Sequence, residues 1–253
     1  MNQPELSARL ATLEEISCLR DLYRQEMNCQ IIHDSIHPRP GWTLEYFLHF
    51  GDLTVGYDSV AVSGPWKGKP TIYEFYVLPF YRSRLFDLFS VLLSISKAVA
   101  IETQSNDSLL TVMLYTFARD VLSESILFHD KLTTSLAPKG AVFRRATADD
   151  GLDITPEQLL SHGIVELEGA VAGKGGILFH YNRPYGDIYM EVAEPFRKRG
   201  IGSFLVQELK RVCYERGNIP SARCNVNNIA SRKTLQKAGF VPCGYILAGL
   251  LLK

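Results

Sequence analysis

Long apolar runs are scarce in this chain. The longest, "SVLLSIS" (90–96) and "YILAGLLL" (245–252), fall far short of the roughly 20 residues that a membrane-spanning helix needs. An excess of one charge is missing too: Lys+Arg and Asp+Glu are equal at 27 each. Proteins that work mainly on nucleic acid carry a basic surplus, so that class and the membrane class both lose ground. No Cys-x-x-Cys pair occurs among the five cysteines, and the odd number leaves one over. This argues against a disulfide framework or a zinc site and for the reduced thiols of a cytoplasm. The opening "MNQPELSARLATLEEIS" lacks the apolar core of a secretory signal. His33 and His37 stand four apart in a Pro/Gly-broken loop without a third ligand, so no metal is expected.

What is present is a core-forming, mixed pattern. At 253 residues and 46% hydrophobic content the chain can bury one large domain or two small ones. Residues 12–27 open with Thr12 and Glu15 in capping-box spacing and carry Leu13, Ile16, Leu19, Leu22 and Tyr23 at helical intervals. "LTVGYDSVAVSG" and "PTIYEFYVLP" predict strands, Leu85 to about residue 97 a helix, and "LLTVMLY" (109–115) another strand. Beyond "LAPKGA" (136–141), which has a linker's composition, similar elements follow. These are strands in "AVFRRAT", "HGIVELEGAVAGKGGILFHYN" and "GDIYMEVAE", then a helix from Ile201 ended at Gly217. A short strand "SARCNVN", a helix over 229–238 and a last strand "VPCGYILAGLLL" complete the chain. Strands and helices mixed through both halves indicate α/β architecture.

The halves also resemble each other. "YVLPFYR" (76–82) matches "EVAEPFR" (191–197), with Val77 to Arg82 spaced as Val192 to Arg197. Each precedes an amphipathic helix and then "ETQSND" (102–107) or "RCNVNN" (223–228). They part at one point. After Arg82 comes Ser-Arg-Leu-Phe, whereas Arg197, Lys198 and Arg199 lead into Gly200-Ile201-Gly202. A strand running into a glycine turn and a helix exposes main-chain N–H groups at a positive helix N-terminus, which suits phosphate. The ending Gly-Lys-Ser/Thr of a P-loop and the third glycine of a dinucleotide fingerprint are both absent.

The segment 188–240, with "IYMEVAEPFRKRGIGSFLVQELK" and "NVNNIASRKTLQKAGF", resembles the GNAT superfamily of acyl-CoA-dependent N-acetyltransferases. Its Arg/Gln-x-x-Gly-x-Gly/Ala signature stands here as Arg197 to Gly202. Its distal Asn-x-x-Ser/Ala stands as Asn228 to Ser231, with Gly239-Phe240 after it. The resemblance covers about the last 110 residues. It implies two GNAT-like halves, each a twisted mixed sheet flanked by helices: a degenerate one over 1–139 and a cofactor-binding one over 140–253. It further implies that main-chain amides from Arg199 through Gly200, Ile201 and Gly202 to Ser203 hold the pyrophosphate of acetyl-CoA. Met190 and Val192 would pair with the pantetheine arm, Asn228 and Ser231 would touch it further along, and strands splayed after Val192 would admit the thioester.

Three departures stand against the family pattern. The Tyr that serves many members as acid to the leaving thiolate is replaced by Leu235. The strand proline is displaced to Pro195. The span 148–163 is short for the two helices expected there, so the first half is expected to supply part of the acceptor wall. Acyl transfer to an amine needs a neutral amine and a stabilised oxyanion. Asp187 and Glu191, on the strand leading to the loop, are the base candidates, although a strand-end charge facing water is the simpler reading of each. Cys224 and Tyr245 are the substitutes available for the missing acid. The expected activity is direct acetyl transfer from acetyl-CoA to a primary amine, small-molecule or peptide, in a soluble protein that is a monomer or homodimer. The alternative is a non-catalytic acyl-CoA-binding module.

Overall fold

The computed structural model describes residues 4–252, which divide into two compact units. One runs to Glu124 and takes in the segment from Tyr245; the other is Ser125–Gly244. These limits differ from the expected division at 139/140. The cause is that β6 (Ala118–Asp130) and β12 (Phe240–Leu251) each change unit partway along.

The first unit holds β1 (Leu6–Ala11), α1 (Leu13–Met27), β2 (Thr43–Phe50), β3 (Leu53–Ala61), β4 (Thr71–Val77), α2 (Leu85–Ser96), β5 (Ala100–Gln104) and α3 (Ser108–Phe117). Its sheet has the order β1-β2-β3-β4-β5-β12, antiparallel except for the β4/β5 pair. The capping box read at Thr12 and Glu15 is formed, and Asn28 closes α1 in the left-handed conformation. The expected strand "LLTVMLY" is instead part of α3. The Asp107 carboxylate accepts hydrogen bonds from the Leu109 and Leu110 amides, which starts a helix. Leu109, Leu110, Met113 and Leu114 then bury one face at i, i+1, i+4 and i+5.

In the second unit β7 (Val142–Arg145), β8 (Gly163–Leu167), β9 (Ala170–Leu178), β10 (Tyr185–Val192) and β11 (Ile219–Asn225) form a sheet of order β7-β8-β9-β10-β11-β6. Only β10/β11 is parallel. Helices α5 (Ile201–Glu215) and α6 (Ile229–Lys237) pack through Leu205, Val206, Leu209, Val212 and Leu235 onto a core with Ile177, Ile188, Ala222 and Phe128. The short span 148–162 carries only a 3-10 turn (Ala148–Asp150) and the one-turn α4 (Pro156–Leu159).

The sequence repeat is therefore structural. β4 and β10 both lead through a 3-10 turn into a helix and a parallel neighbour. Arg82 Nε donates to the Val77 carbonyl (2.9 Å) as Arg197 Nε donates to that of Val192 (3.2 Å). α3 corresponds to α6, a match that reading residues 109–115 as a strand had hidden.

Candidate active site

Local chemistry shapes the turn between β10 and α5. Gly200 is the N-cap of α5 at φ 83°, a left-handed conformation that glycine adopts without steric cost. Lys198, at φ 62°, turns the chain in the same sense. The first helical bond joins the Phe204 amide to the Gly200 carbonyl, and no side chain caps the helix. The amides of Ile201, Gly202 and Ser203 are thus the donors a helix start leaves without an intrahelical acceptor. The positive φ belongs to Gly200 and not to Gly202, which is helical. A Cβ on Gly202 would lie 3.2 Å from Val192 Cγ2 and 3.1 Å from Thr234 Cγ2, so this glycine also lets α5 approach β10 and α6.

A cleft of about 850 Å³ opens from this turn. It is lined by Met190, Glu191 and Val192 from β10, by Arg197, Lys198, Gly200, Ile201, Gly202 and Ser203, and by Asn228 and Ser231 at the start of α6. Arg199 does not line it. Its guanidinium pairs with Glu168 and lies over the Phe196 ring, so its charge is spent outside the cleft. Six lining residues were absent from the sequence reading: Phe196, Ile229 and Ala230, and Lys233, Thr234 and Lys237 on the solvent-facing side of α6. For the last three, the i, i+1, i+4 spacing around the buried Leu235 was the available signal.

The strands part earlier than expected. β10 and β11 pair from Tyr185/Ile219 to Ile188/Ala222 and no further, so the opening begins after Ile188 and not after Val192. The Tyr189 carbonyl lies against Gly175 of β9, and the Glu191 carbonyl lies 3.2 Å from where a Gly173 Cβ would sit. Alternation therefore turns the main-chain groups of Met190 and Val192 toward the side that β11 leaves open. One of them, the Val192 carbonyl, accepts from Arg197. Asn228 Oδ1 accepts from the Ser231 amide at 2.9 Å, capping α6, so this asparagine has a structural duty at the cleft rim. Leu235, at the position of the family's acid, is 2% exposed in the core and does not line the cleft.

The two carboxylates have different surroundings. Asp187 is 5% exposed and pairs with Arg223 Nε at 3.1 Å. Burial pushes its pKa up to about 6 although the Arg223 guanidinium pulls the other way. The Arg223 guanidinium in turn bonds the Tyr181 hydroxyl and lies 4.5 Å from that ring's centre. Glu191 is solvent-exposed, 3.6 Å from Lys174. The sequence reading missed a third group on the same strand face: Tyr189, hydrogen-bonded to His162. Its place midway between the two carboxylates was the only hint. Cys224 is a buried thiol whose pKa burial raises; all five cysteines are free. Among the described residues no group of three or more His, Cys, Asp or Glu is arranged to hold a metal ion, and no helix is long and apolar enough to cross a membrane.

Residues 130–240 match the model of the acetyltransferase (GNAT) family. No curated protein matches the chain. Among solved structures, a GNAT-family acetyltransferase from Colwellia psychrerythraea is 16% identical with a TM-score of 0.72, covering 96% of this chain and all of its own. A GCN5-related N-acetyltransferase from Sphaerobacter thermophilus is 16% identical at TM-score 0.61, covering 98% of this chain and 97% of its own. A tandem GNAT protein from the clavulanic acid biosynthesis pathway is 13% identical at TM-score 0.59, with 97% and 98% covered. These likenesses show a shared fold over both halves, one of them in a protein described as tandem. The family match, 130–240, takes in the glycine turn, the cleft and the parted strands, and it makes this stretch similar to an acetyltransferase domain of the GNAT family.

Proposed function

We propose that the chain transfers an acetyl group from acetyl-CoA to a primary amine, using the unit Ser125–Gly244. One observation carries this reading: an uncapped, glycine-started helix opens on the same cleft as a strand whose partner has moved away. The residues present fit the cofactor. The amides of Ile201, Gly202 and Ser203 suit a pyrophosphate, with Arg197, Lys198 and Lys237 near enough to add charge. The Met190 and Val192 main chain offers an extended, amide-containing pantetheine arm a strand edge to pair with, as peptides add to sheet edges. Asn228 and Ser231 border the far wall. Bound there, acetyl-CoA supplies a thioester activated for acyl transfer.

The chain's own residues would then orient an amine and move its proton. Asp187 pairs with Arg223 and through it fixes Tyr181. Glu191, exposed beside Lys174, is suited to attracting a cationic amine. The test is thiol release from acetyl-CoA across a set of amines, with calorimetry in parallel. Turnover with at least one amine is expected. Tight acetyl-CoA binding without thiol release from any amine would instead establish the non-catalytic binding module, which the burial of Leu235 favours.

A further inference from the structure

The β10 strand presents two faces. Met190 and Val192 turn toward α5 and the cleft, where Val192 Cγ2 and Met190 Sδ lie 3.2 and 3.8 Å from a Cβ placed on Gly202. Asp187, Tyr189 and Glu191 alternate onto the other face. Tyr189 follows directly on the last residue paired with β11, so it stands where the gap between the strands begins. It is 41% exposed, against 5% for Asp187. A group passing through the gap from the α5 side meets Tyr189 on emerging.

The Tyr189 hydroxyl is hydrogen-bonded to His162 Nε2. His162 itself is buried and doubly fixed. Its Nδ1 lies 2.9 Å from the Gln158 carbonyl, and its ring lies over Gly176, where a Cβ would come within 2.7 Å of Cε1. A carbonyl oxygen can only accept, so in the neutral ring Nδ1 carries the proton and Nε2 presents its lone pair to the tyrosine, which donates. Burial raises the Tyr189 pKa, so the resting hydroxyl keeps its proton.

We propose that Tyr189 is the catalytic residue that takes the proton from the acceptor ammonium, while it passes its own proton to His162, a positioning residue behind it. The proposal rests on the acetyltransferase reading above. The transfer balances as follows: an N–H bond of the ammonium breaks as an O–H bond forms at Tyr189 Oη. The old O–H bond breaks as an N–H bond forms at His162 Nε2. The amine is left neutral with a free lone pair, and the imidazole holds the charge until Tyr189 returns the proton to water at its exposed edge.

Two probes of nearly equal size separate proton removal from every other role: methylamine, an ammonium ion at pH 7, and hydroxylamine, neutral at pH 7. Thiol release from acetyl-CoA is measured on the full chain with each. Tyr189→Phe is expected to lose about 100-fold or more in kcat/KM for methylamine, within the usual range for acid–base catalysis, and little for hydroxylamine. His162→Gln, which can accept the tyrosine's hydrogen bond but cannot hold a proton, is expected to show the same selective loss with an unchanged KM for acetyl-CoA. Gly176→Val, which displaces the ring without removing either group, should shift the ratio in the same direction. Equal losses with both probes, or none, would overturn the proposal. So would a methylamine-selective loss in Asp187→Asn with none in Tyr189→Phe. Absence of thiol release from the unaltered protein with every amine of the set, both probes included, would instead overturn the acetyltransferase reading, so the two failures are distinguishable.

Discussion

A single carboxyl group in the first unit works against stability. Asp58 on β3 is fully buried, and neither of its oxygens has a hydrogen-bond partner. Burial, reinforced by Glu45 and Glu74, raises its pKa well above the ordinary carboxylate range. The folded chain therefore holds a proton that the unfolded chain sheds above about pH 4, so this residue makes stability fall as pH rises past that point. Asp58→Ala should stabilise the protein at pH 7 by about 1 kcal/mol, since an unpaired buried polar group costs roughly 1–3 kcal/mol and the void left is small. Urea midpoints from pH 4 to 7 would reveal it as a higher and flatter profile. The nearby Glu74 is the opposite case. It is just as buried, but Arg20 Nε and His37 Nε2 bond it at 2.7 and 3.3 Å, and Tyr57 donates to it at 3.0 Å. Its pKa is held well below the usual range.

Elements are set by their ends. Asn228→Ala removes the cap of α6 and should cost about 1 kcal/mol, with Asn228→Ser recovering most of it, as thermal denaturation would measure. Gly202→Val should raise the acetyl-CoA dissociation constant at least tenfold, because several charge-assisted contacts of roughly 1.5–3 kcal/mol each are disturbed. The tight packing of Gly202 on Val192 and Thr234 adds a stability loss that the sequence alone did not suggest. A calorimetric titration with a melting curve on the same sample separates the two effects. The ends were also where the sequence was most legible: Thr12, Gly200, Asn228 and Gly217 all sit where side-chain chemistry requires them. "LLTVMLY" was misread because its apolar run satisfies a buried strand as well as a buried helix. Only Asp107, two residues upstream, distinguished them. The Tyr189–His162 pair lay beyond the sequence's reach, since β10 and the residue before β8 meet only through β9.

For the whole molecule, the repeat predicts one acetyl-CoA per chain. In the first unit α2 begins at Leu85, which is buried, with Phe86 half exposed and leaning on Phe117. Side chains occupy the places of both glycines of the second unit. A calorimetric ratio near two, or one that survives replacement of both Gly200 and Gly202 by bulky residues, would contradict this. Residues 140–253 alone should fold poorly. They lack the 125–130 strand that pairs β11, and with it the buried Ile126, Leu127 and Phe128. Comparing the far-ultraviolet spectrum and solubility of 140–253 with those of 125–253 tests the contribution of that strand.

The sheet of the first unit is finished by residues 245–251, which pair β5 at Ala100–Gln104. On a ribosome adding about 5–20 residues per second, the interval between making β5 and making its partner is on the order of ten seconds. Through that time β5 has one edge unpaired, a template for stray strands and a site for holding chaperones. Synthesis of this protein thus runs opposite to the usual order of domain maturation. The second unit has every strand it needs once Gly244 has been made, while the half translated first must wait for the last strand to reach it.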